Sequence, residues 1–282
     1  MSGRVGSITT GIISDGLVFN MDAANRASYP KTGTIATDTI GNVTGSLTNG
    51  TAFSNDNNGL FDFDGVDDYV NYGNILGMAD DGTDSFSVGF WMKRNSTAQE
   101  WIVSKQLSSG TYGGFAIFIA SGKLNFFLGS GAPSANIQGK STDSVTGTTW
   151  KHIVVTYDGS QDISGFKIYI NGVSNTIVQV SNNAPTNVAN TTNFQLSSRD
   201  GNTALQYGGI LDEVGFWLGT ELTSVQASEI YNSGTPASLS GYSPTSWWRF
   251  EEGSGTTAID SGTGGNNGTL TNGTAYSTDV PS

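Results

Sequence analysis

The chain has 282 residues, a formal net charge of -12, no cysteine and one histidine, and 39 of its residues are glycine. Because the net charge is negative and the 12 lysines and arginines form no cluster, we do not expect a groove that tracks nucleic-acid phosphates. Without thiols the chain has neither disulfides nor a structural zinc site, so any bound cation is a hard ion held by oxygen atoms.

Residues 1–15 are rich in glycine and too short to pack alone, and we interpret them as an arm that attaches the protein to a partner. They lack the apolar run of a secretory signal, and the longest apolar run of the chain, residues 115–120, is too short to cross a bilayer. We therefore expect a soluble product made without a cleaved leader. A first strand is predicted over residues 17–22, followed by a long, turn-rich excursion.

Residues 60–64 alternate phenylalanine with aspartate, which is the period of a strand with one buried and one solvated face. Asp64-Gly65 is a turn signal and residues 69–72 resume the alternation, so we predict a hairpin here. The acidic residues around this turn are either solvated loop charges or cation ligands, and their spacing does not match an EF-hand.

From residue 85 onward, short aromatic or β-branched runs follow one another and helical periodicity is nearly absent. Strands are predicted over residues 86–90, 101–105, 115–120, 124–128, 150–157, 166–170, 194–197 and 210–217. Ser121-Gly122 and Asn171-Gly172 predict tight hairpin turns. One helix is predicted, with Thr223 as its cap and Gly234 as its stop. Many strands with a single helix predict an all-β fold of two packed antiparallel sheets.

The C-terminal tail repeats the opening of the chain. Residues 47–53 (LTNGTAF) recur as residues 270–276 (LTNGTAY), and residues 18–22 align with residues 247–251. The tail contains two adjacent tryptophans that need cover, so we expect it to dock either on its own domain or on a neighbouring subunit, with a slight preference for the neighbour. We therefore predict a homo-oligomer and three segments: the arm 1–15, a domain over 16–236 and a C-terminal partial repeat over 237–282.

Five motifs occur in a fixed order: residues 61–70 (FDFDGVDDYV), 86–91 (FSVGFW), 150–159 (WKHIVVTYDG), 167–172 (KIYING) and 209–214 (GILDEV). Together they resemble the laminin-G-like members of the concanavalin A-like lectin/glucanase superfamily. The resemblance covers about residues 17–232 and implies an antiparallel jelly-roll β-sandwich. The tail motif at 249–257 (RFEEGSGTT) resembles the entry strand of the same family. The opening at 16–23 (GLVFNMDA) resembles the subgroup that is common in virion proteins of tailed phages.

The superfamily includes β-glucanases, whose Glu-x-Asp-x-x-Glu pattern does not occur in this chain. The nearest acidic pairs, Asp212-Glu213 and Glu251-Glu252, are sequence neighbours, and on a regular strand their side chains point to opposite faces. His152 lies in an aliphatic strand, where we interpret it as structural rather than as a catalytic base. We therefore expect no catalytic residues.

A calcium ion is implied by the resemblance, because laminin-G-like modules commonly hold one at the rim of the sandwich. By position, Asp38, Asn42 and Asp212 are its candidate ligands. The alternative is that Asp38 and Asn42 are ordinary turn residues and Asp212 is a structural hydrogen-bond acceptor.

A sugar site needs aromatic platforms beside polar groups, because a pyranose ring offers C–H faces and hydroxyls together. Tyr112 and a loop that carries Arg199, Asp200 and Tyr207 lie between predicted strands and are the candidates. The alternative is that these side chains pack locally.

These observations favour a non-enzymatic virion structural protein, either a capsid decoration or a tail-fibre or appendage component. It would join other virion proteins through the arm and bind cell-surface polysaccharide on the host. A free lectin-like carbohydrate-binding module is the alternative, and a glucanase-like hydrolase comes third. Nucleic acid and membrane are not expected partners.

Overall fold

The computed structural model describes residues 35–37, 44–46, 60–94, 98–130, 135–201, 204–252, 255–271 and 274–277. The strands among them, in chain order, are β1 (Ile35–Thr37), β2 (Thr44–Ser46), β3 (Leu60–Asp64), β4 (Tyr69–Asn71), β5 (Phe86–Arg94), β6 (Glu100–Gln106), β7 (Gly114–Ala120), β8 (Lys123–Gly129), β9 (Asn136–Ser144), β10 (Gly147–Tyr157), β11 (Phe166–Ile170), β12 (Val173–Asn175), β13 (Ile177–Asn182), β14 (Gln195–Leu196), β15 (Gly208–Leu218), β16 (Ser246–Trp248), β17 (Thr257–Ala258), β18 (Gly268–Thr271) and β19 (Ala275–Ser277). Helix α1 spans Ser224–Tyr231. Three 3-10 turns complete the described elements: Ile163–Gly165, Asn232–Gly234 and Leu239–Tyr242.

The chain divides into two compact units, Met1–Asn55 and Asp56–Ser282. In the first unit, β1 and β2 form an antiparallel hairpin. In the second unit, one sheet has the order β12-β11-β10-β5-β15-β3-β19, with β16 also on β15, and the other has the order β13-β9-β8-β7-β6-β14-β4-β18-β17. The predicted antiparallel sandwich with one short helix is therefore confirmed. The arm 1–15 and the strand predicted at 17–22 lie outside the described residues.

The core between the sheets is aromatic. The ring of Phe86 lies 5.6 Å from that of Phe115 and 5.9 Å from that of Phe216, and Phe194 packs 6.2 Å from Phe115. These four rings come from strands or flanking residues of both sheets, and all are buried. Fully burying one such side chain stabilises the fold by about 1.5 to 3 kcal/mol, so this contact layer holds the two sheets together.

Local turn chemistry behaves as the sequence predicts. Ser121 and Gly122 join β7 to β8 with φ values of 51° and 73°, and Asn171 and Gly172 join β11 to β12 with the same pair of values. Positive φ at both central positions is the requirement of a type I′ hairpin turn. The helix cap is also confirmed, because the Thr223 side chain accepts a hydrogen bond from the first turn of α1.

The predicted hairpin over residues 60–73 is wrong. β3 pairs with β15 and β19 in one sheet, whereas β4 pairs with β14 and β18 in the other. Residues 65–68 between them carry the chain from one sheet to the other. Alternation identifies each strand, but it does not say which strand becomes the neighbour, because pairing depends on residues far away in sequence.

The tail completes both sheets of its own chain, which is the docking mode that the sequence analysis favoured less. β16 lies on β15, β18 on β4 and β19 on β3. Trp248 and Phe250 are fully buried in the main core. The described part of the chain contains no helix with the length and apolar character needed to cross a bilayer.

Candidate functional site

An aromatic cluster lies on the outer side of the second sheet, where Trp101 and Phe118 are only 5% and 7% exposed. Ile117 and Ile119 of β7 point into the main core, so Phe118 between them points outward. It lies opposite Trp101 of β6, and the two ring centroids are 4.7 Å apart. Phe127 of β8 extends the same surface and is partly exposed. The strand alternation thus builds an apolar platform on the side that faces away from the core.

Arg199 places a positive charge over this platform. Its guanidinium carbon lies 4.3 Å from the ring centroid of Trp101 and 5.6 Å from that of Tyr112. Burial lowers the pKa of Arg199 from its usual value, but an arginine still carries its charge at neutral pH. A guanidinium over two rings gains cation-π attraction, which holds the side chain in place.

Tyr112 is the exposed ring of the group, with 40% of its surface accessible. Its position is set by the backbone: φ is 53°, and its carbonyl oxygen accepts a hydrogen bond from Gln106 Nε2 at 3.0 Å. Asp200 lies next to Arg199, and its Oδ2 accepts hydrogen bonds from the backbone N and the Oγ of Ser108, at 3.3 and 3.2 Å. That contact ties the loop at 199–201 to the loop after β6.

Trp101, Tyr112, Phe118, Arg199 and Asp200 together form what we call the arginine-aromatic patch. The structure therefore brings together three of the four residues that the sequence analysis assigned to sugar binding. An exposed phenol ring beside a guanidinium and a carboxylate offers a stacking face and both kinds of hydrogen-bonding group. That combination suits a polar ring compound such as a sugar.

Tyr207 does not belong to the patch. Its side chain is fully buried, and its hydroxyl lies 3.1 Å from the Lys93 carbonyl oxygen and 3.2 Å from the Ile210 carbonyl oxygen. Because the ring offers no surface to a ligand, we remove Tyr207 from the candidate site. Trp101 and Phe118 are the members that sequence reasoning missed. Only the pairing of β6 with β7 shows that their rings touch on the outer face.

A second cluster of ionisable groups lies on β15. The expectation that Asp212 and Glu213 point to opposite faces is wrong. Glu213 has a φ of 49°, and the pairing with β5 shifts between Asp212 and Gly215, which marks a β-bulge. Leu211 and Val214 both belong to the main core, so two residues lie outside the core layer where a regular strand has one.

Burial changes the acidity of both groups. It raises the pKa of Asp212 well above its usual value, with a further contribution from the neighbouring Glu213. It raises the pKa of Glu213 from 4.5 to about 7, opposed by the hydrogen bond from Trp247 and the charge of Arg249. Arg249 Nε lies 3.8 Å from a Glu213 oxygen. Asp212 is only 1% exposed, so it has no open path to a substrate.

Of the three predicted calcium ligands, the structure describes only Asp212. Asp38 and Asn42 lie outside the described residues, and Asp212 is only 1% exposed. Within the described ranges, carboxylate oxygens of Asp64, Asp67 and Asp68 lie within 4.8 Å of one another.

Part of that carboxylate cluster is already used by its own turn. Asp64 Oδ1 accepts from the Val66 backbone N at 2.7 Å, and Asp68 Oδ2 accepts from the Asp64 backbone N at 3.0 Å. The two interpretations of this turn, loop charges or cation ligands, therefore remain open, and calcium stays a prediction.

Comparison with known families identifies the superfamily of this fold. A family described as the concanavalin A-like lectin/glucanases superfamily matches residues 64–226, which is more than half of the chain. The chain belongs to this superfamily. Tyr112, Arg199 and Asp200 all lie within the matched range. The resemblance drawn from the five sequence motifs is confirmed at this level, whereas the virion subgroup stays a prediction. No curated protein matches the sequence significantly.

Solved structures of similar fold include a protein from Bacteroides ovatus assigned to carbohydrate binding. It has a TM-score of 0.57 at 17% identity, over 86% of this chain and 67% of the other. A pentraxin from Limulus polyphemus has a TM-score of 0.46 at 18% identity, covering 64% of this chain and 84% of the pentraxin. The binding domain of botulinum neurotoxin serotype D has a TM-score of 0.43 at 16% identity, covering 72% and 50%. At these low sequence identities, the similarity between this chain and the three structures concerns the fold alone.

Proposed function

We propose that this protein is a non-enzymatic, lectin-like component of a virion that binds cell-surface polysaccharide through the arginine-aromatic patch. The observation that supports polysaccharide binding is that Tyr112, Arg199 and Asp200 lie together beside the aromatic rings on the outer side of the second sheet. Tyr112 offers an exposed ring, and its neighbours offer a donor and an acceptor. The Bacteroides ovatus protein of similar fold is itself assigned to carbohydrate binding.

A polysaccharide array, followed by calorimetry with the best ligand, tests the patch. Tyr112→Ala should weaken binding about fivefold, because stacking on an aromatic face contributes on the order of 1 kcal/mol. Arg199→Ala should weaken it as well. Tyr112→Phe keeps the ring and should bind nearly as well as the parent protein. Val225→Ala changes an exposed residue of α1 that is not part of the patch, so this variant is the control and should bind like the parent protein. Equal affinity of parent and Tyr112→Ala proteins would remove the patch from the proposal.

The second part of the proposal, that the protein is a virion component, rests on the sequence. The segment 16–23 resembles an opening that is common among virion proteins of tailed phages, and the glycine-rich arm 1–15 is suited to attachment. In this proposal the arm binds other virion proteins, and the sandwich sits on the capsid surface or on a tail appendage. Mass spectrometry of purified particles tests the location. A protein found only in the unassembled fraction would instead support the free lectin-like module.

One observation keeps the hydrolase as a third candidate. Glu213, with a pKa of about 7, lies beside a second carboxyl group on β15. A raised pKa next to another acid is a property of some glycosidase acids. Turnover of polysaccharide by the parent protein, lost in Glu213→Gln, would establish hydrolysis. Binding without turnover supports the non-enzymatic proposal.

We also propose calcium as a ligand of the rim, following the family resemblance. Titration calorimetry with calcium, on the parent protein and on Asp68→Asn, tests it. If the parent protein gives no heat of binding, the calcium site is discarded. If the heat survives in Asp68→Asn, the ion lies away from the acidic turn, and Asp212→Asn is the next variant.

A further inference from the structure

The tail occupies a well-defined slot in the sandwich. β18 pairs with β4 and β19 pairs with β3, so the tail closes one edge of each sheet. Between these edges the Trp248 ring lies 4.1 Å from that of Tyr72 and 5.4 Å from that of Phe194. We call the space bounded by β3, β4 and these two rings the tail slot. Its occupant buries aromatic surface and satisfies two strand edges at once.

The strand pair β1–β2 near the start of the chain resembles the strand pair β17–β18 of the tail, which fills the slot. In the tail, Thr257 pairs with Thr269 and Ala258 with Gly268. In the first compact unit, Ile35 pairs with Ser46 and Ala36 with Gly45. When residues 33–38 are aligned with 255–260 and residues 47–53 with 270–276, these pairs fall at equivalent positions. Two separately formed hairpins therefore share both their sequence pattern and their register.

The positions that the slot constrains most are kept in the opening segment. At Gly268 an added Cβ would lie 2.2 Å from the Tyr72 ring, so the slot requires glycine there, and the opening segment has Gly45. Ala258 is fully buried, and its counterpart is Ala36.

The opening segment also has the two polar residues whose counterparts in the tail make hydrogen bonds in the slot. Asp260 accepts hydrogen bonds from the backbone N of Trp247 at 2.8 Å and of Asn266 at 2.7 Å, and the opening segment has Asp38 at that position. Thr274 Oγ1 lies 3.3 Å from the carbonyl oxygen of Tyr69. The matching residue in the opening segment is Thr51.

We propose that the tail slot also accepts residues 17–54 of a second copy of this chain, in the place and register of the tail. The sequence contains two segments that match this slot, so a chain whose tail fills it still carries a matching segment for the slot of another copy. Exchange of equivalent elements between chains keeps the same contacts and joins the chains. The tail is the stronger occupant, because Trp248 corresponds to the smaller Phe19. Exchange is therefore expected where the tail is weakened.

Engineered disulfides test this directly, because the chain contains no cysteine. Asn71 lies opposite Thr269, whose counterpart in the opening segment is Ser46. One protein carries Asn71→Cys with Leu270→Asp, which weakens its tail. The other carries only Ser46→Cys. The two are mixed under mild oxidation, separated on a non-reducing gel and mapped by peptide mass. We expect a mixed dimer linked between positions 46 and 71.

Two matched controls make the outcome specific. Gly45→Val in the Ser46→Cys protein should reduce the mixed dimer at least tenfold, because the slot has no room for that side chain, whereas valine suits a free hairpin strand. The single-chain variant Thr269→Cys with Asn71→Cys should form an internal disulfide, which shows that the geometry permits the bond.

Two results would overturn the proposal: no mixed dimer while the internal disulfide forms, or equal dimer yields with and without Gly45→Val. If the Leu270→Asp protein does not fold, the Asn71→Cys protein with an intact tail replaces it. That mixture is incubated at higher concentration and moderately raised temperature, and the same two results count against the proposal.

Discussion

Glu213→Gln should remove one contribution to the pH dependence of folding stability above pH 4.5, while the raised pKa of Asp212 leaves a second contribution in place. The pKa of Glu213 is raised from 4.5 to about 7 in the folded protein, chiefly by burial. Below pH 4.5 the group is protonated in both folded and unfolded chains and has no differential effect. As pH rises to about 7, the unfolded chain releases this proton first, so the folded state loses stability relative to it. The difference between 4.5 and about 7 corresponds to roughly 3 kcal/mol.

Glutamine stays neutral and keeps an oxygen that can accept from Trp247 Nε1, so the variant should avoid this loss. Urea unfolding followed by tryptophan fluorescence at several values between about pH 4.5 and pH 8 measures it. The stability difference between variant and parent should grow by roughly 3 kcal/mol across that range. Exposed Glu229→Gln on α1 controls for the loss of one negative charge. Parallel stability curves for Glu213→Gln and the parent would refute the reasoning.

Three further predictions follow from described contacts. Trp217→Ala should lower the free energy of unfolding by about 3 to 5 kcal/mol, because the ring is buried and its Nε1 donates to the Tyr242 carbonyl; a loss below about 1 kcal/mol in urea unfolding would contradict this. Thr223→Ala should cost about 1 kcal/mol by removing the hydrogen bond from the Gln226 backbone N, and Thr223→Ser should retain most of it. Because burial lowers the pKa of His152 to about 3, His152→Asn should leave polysaccharide affinity unchanged from about pH 5 to pH 8, and a difference in calorimetry that varies with pH would argue otherwise.

The sugar-site candidates show how far local sequence leads. Tyr112, Arg199 and Asp200 lie between predicted strands and have chemistry suited to a sugar, and the structure brings them together. Tyr207 meets the same two criteria in the sequence, yet its side chain is fully buried. Sequence position alone does not separate these cases, because the exposed side of a loop is decided by the elements that pack against it.

The amino-acid sequence by itself determined the features that depend on neighbouring residues. Alternating apolar positions produce the strands. Asn171-Gly172 forms its turn because both residues tolerate positive φ, and Thr223 starts α1 because its hydroxyl accepts a hydrogen bond three residues away. The superfamily was also readable from motifs, since their order along the chain is part of the sequence.

Tertiary structure decided which strands became neighbours. β3 and β4 are adjacent in sequence but lie in different sheets, and the tail strand β18 that pairs with β4 follows it by about 200 residues. The bulge at Glu213 places two carboxyl groups outside the core layer, where strand alternation predicts one. Strand pairing, burial and bulges all depend on residues distant in the chain, and free energy gained at those contacts overrides local preference.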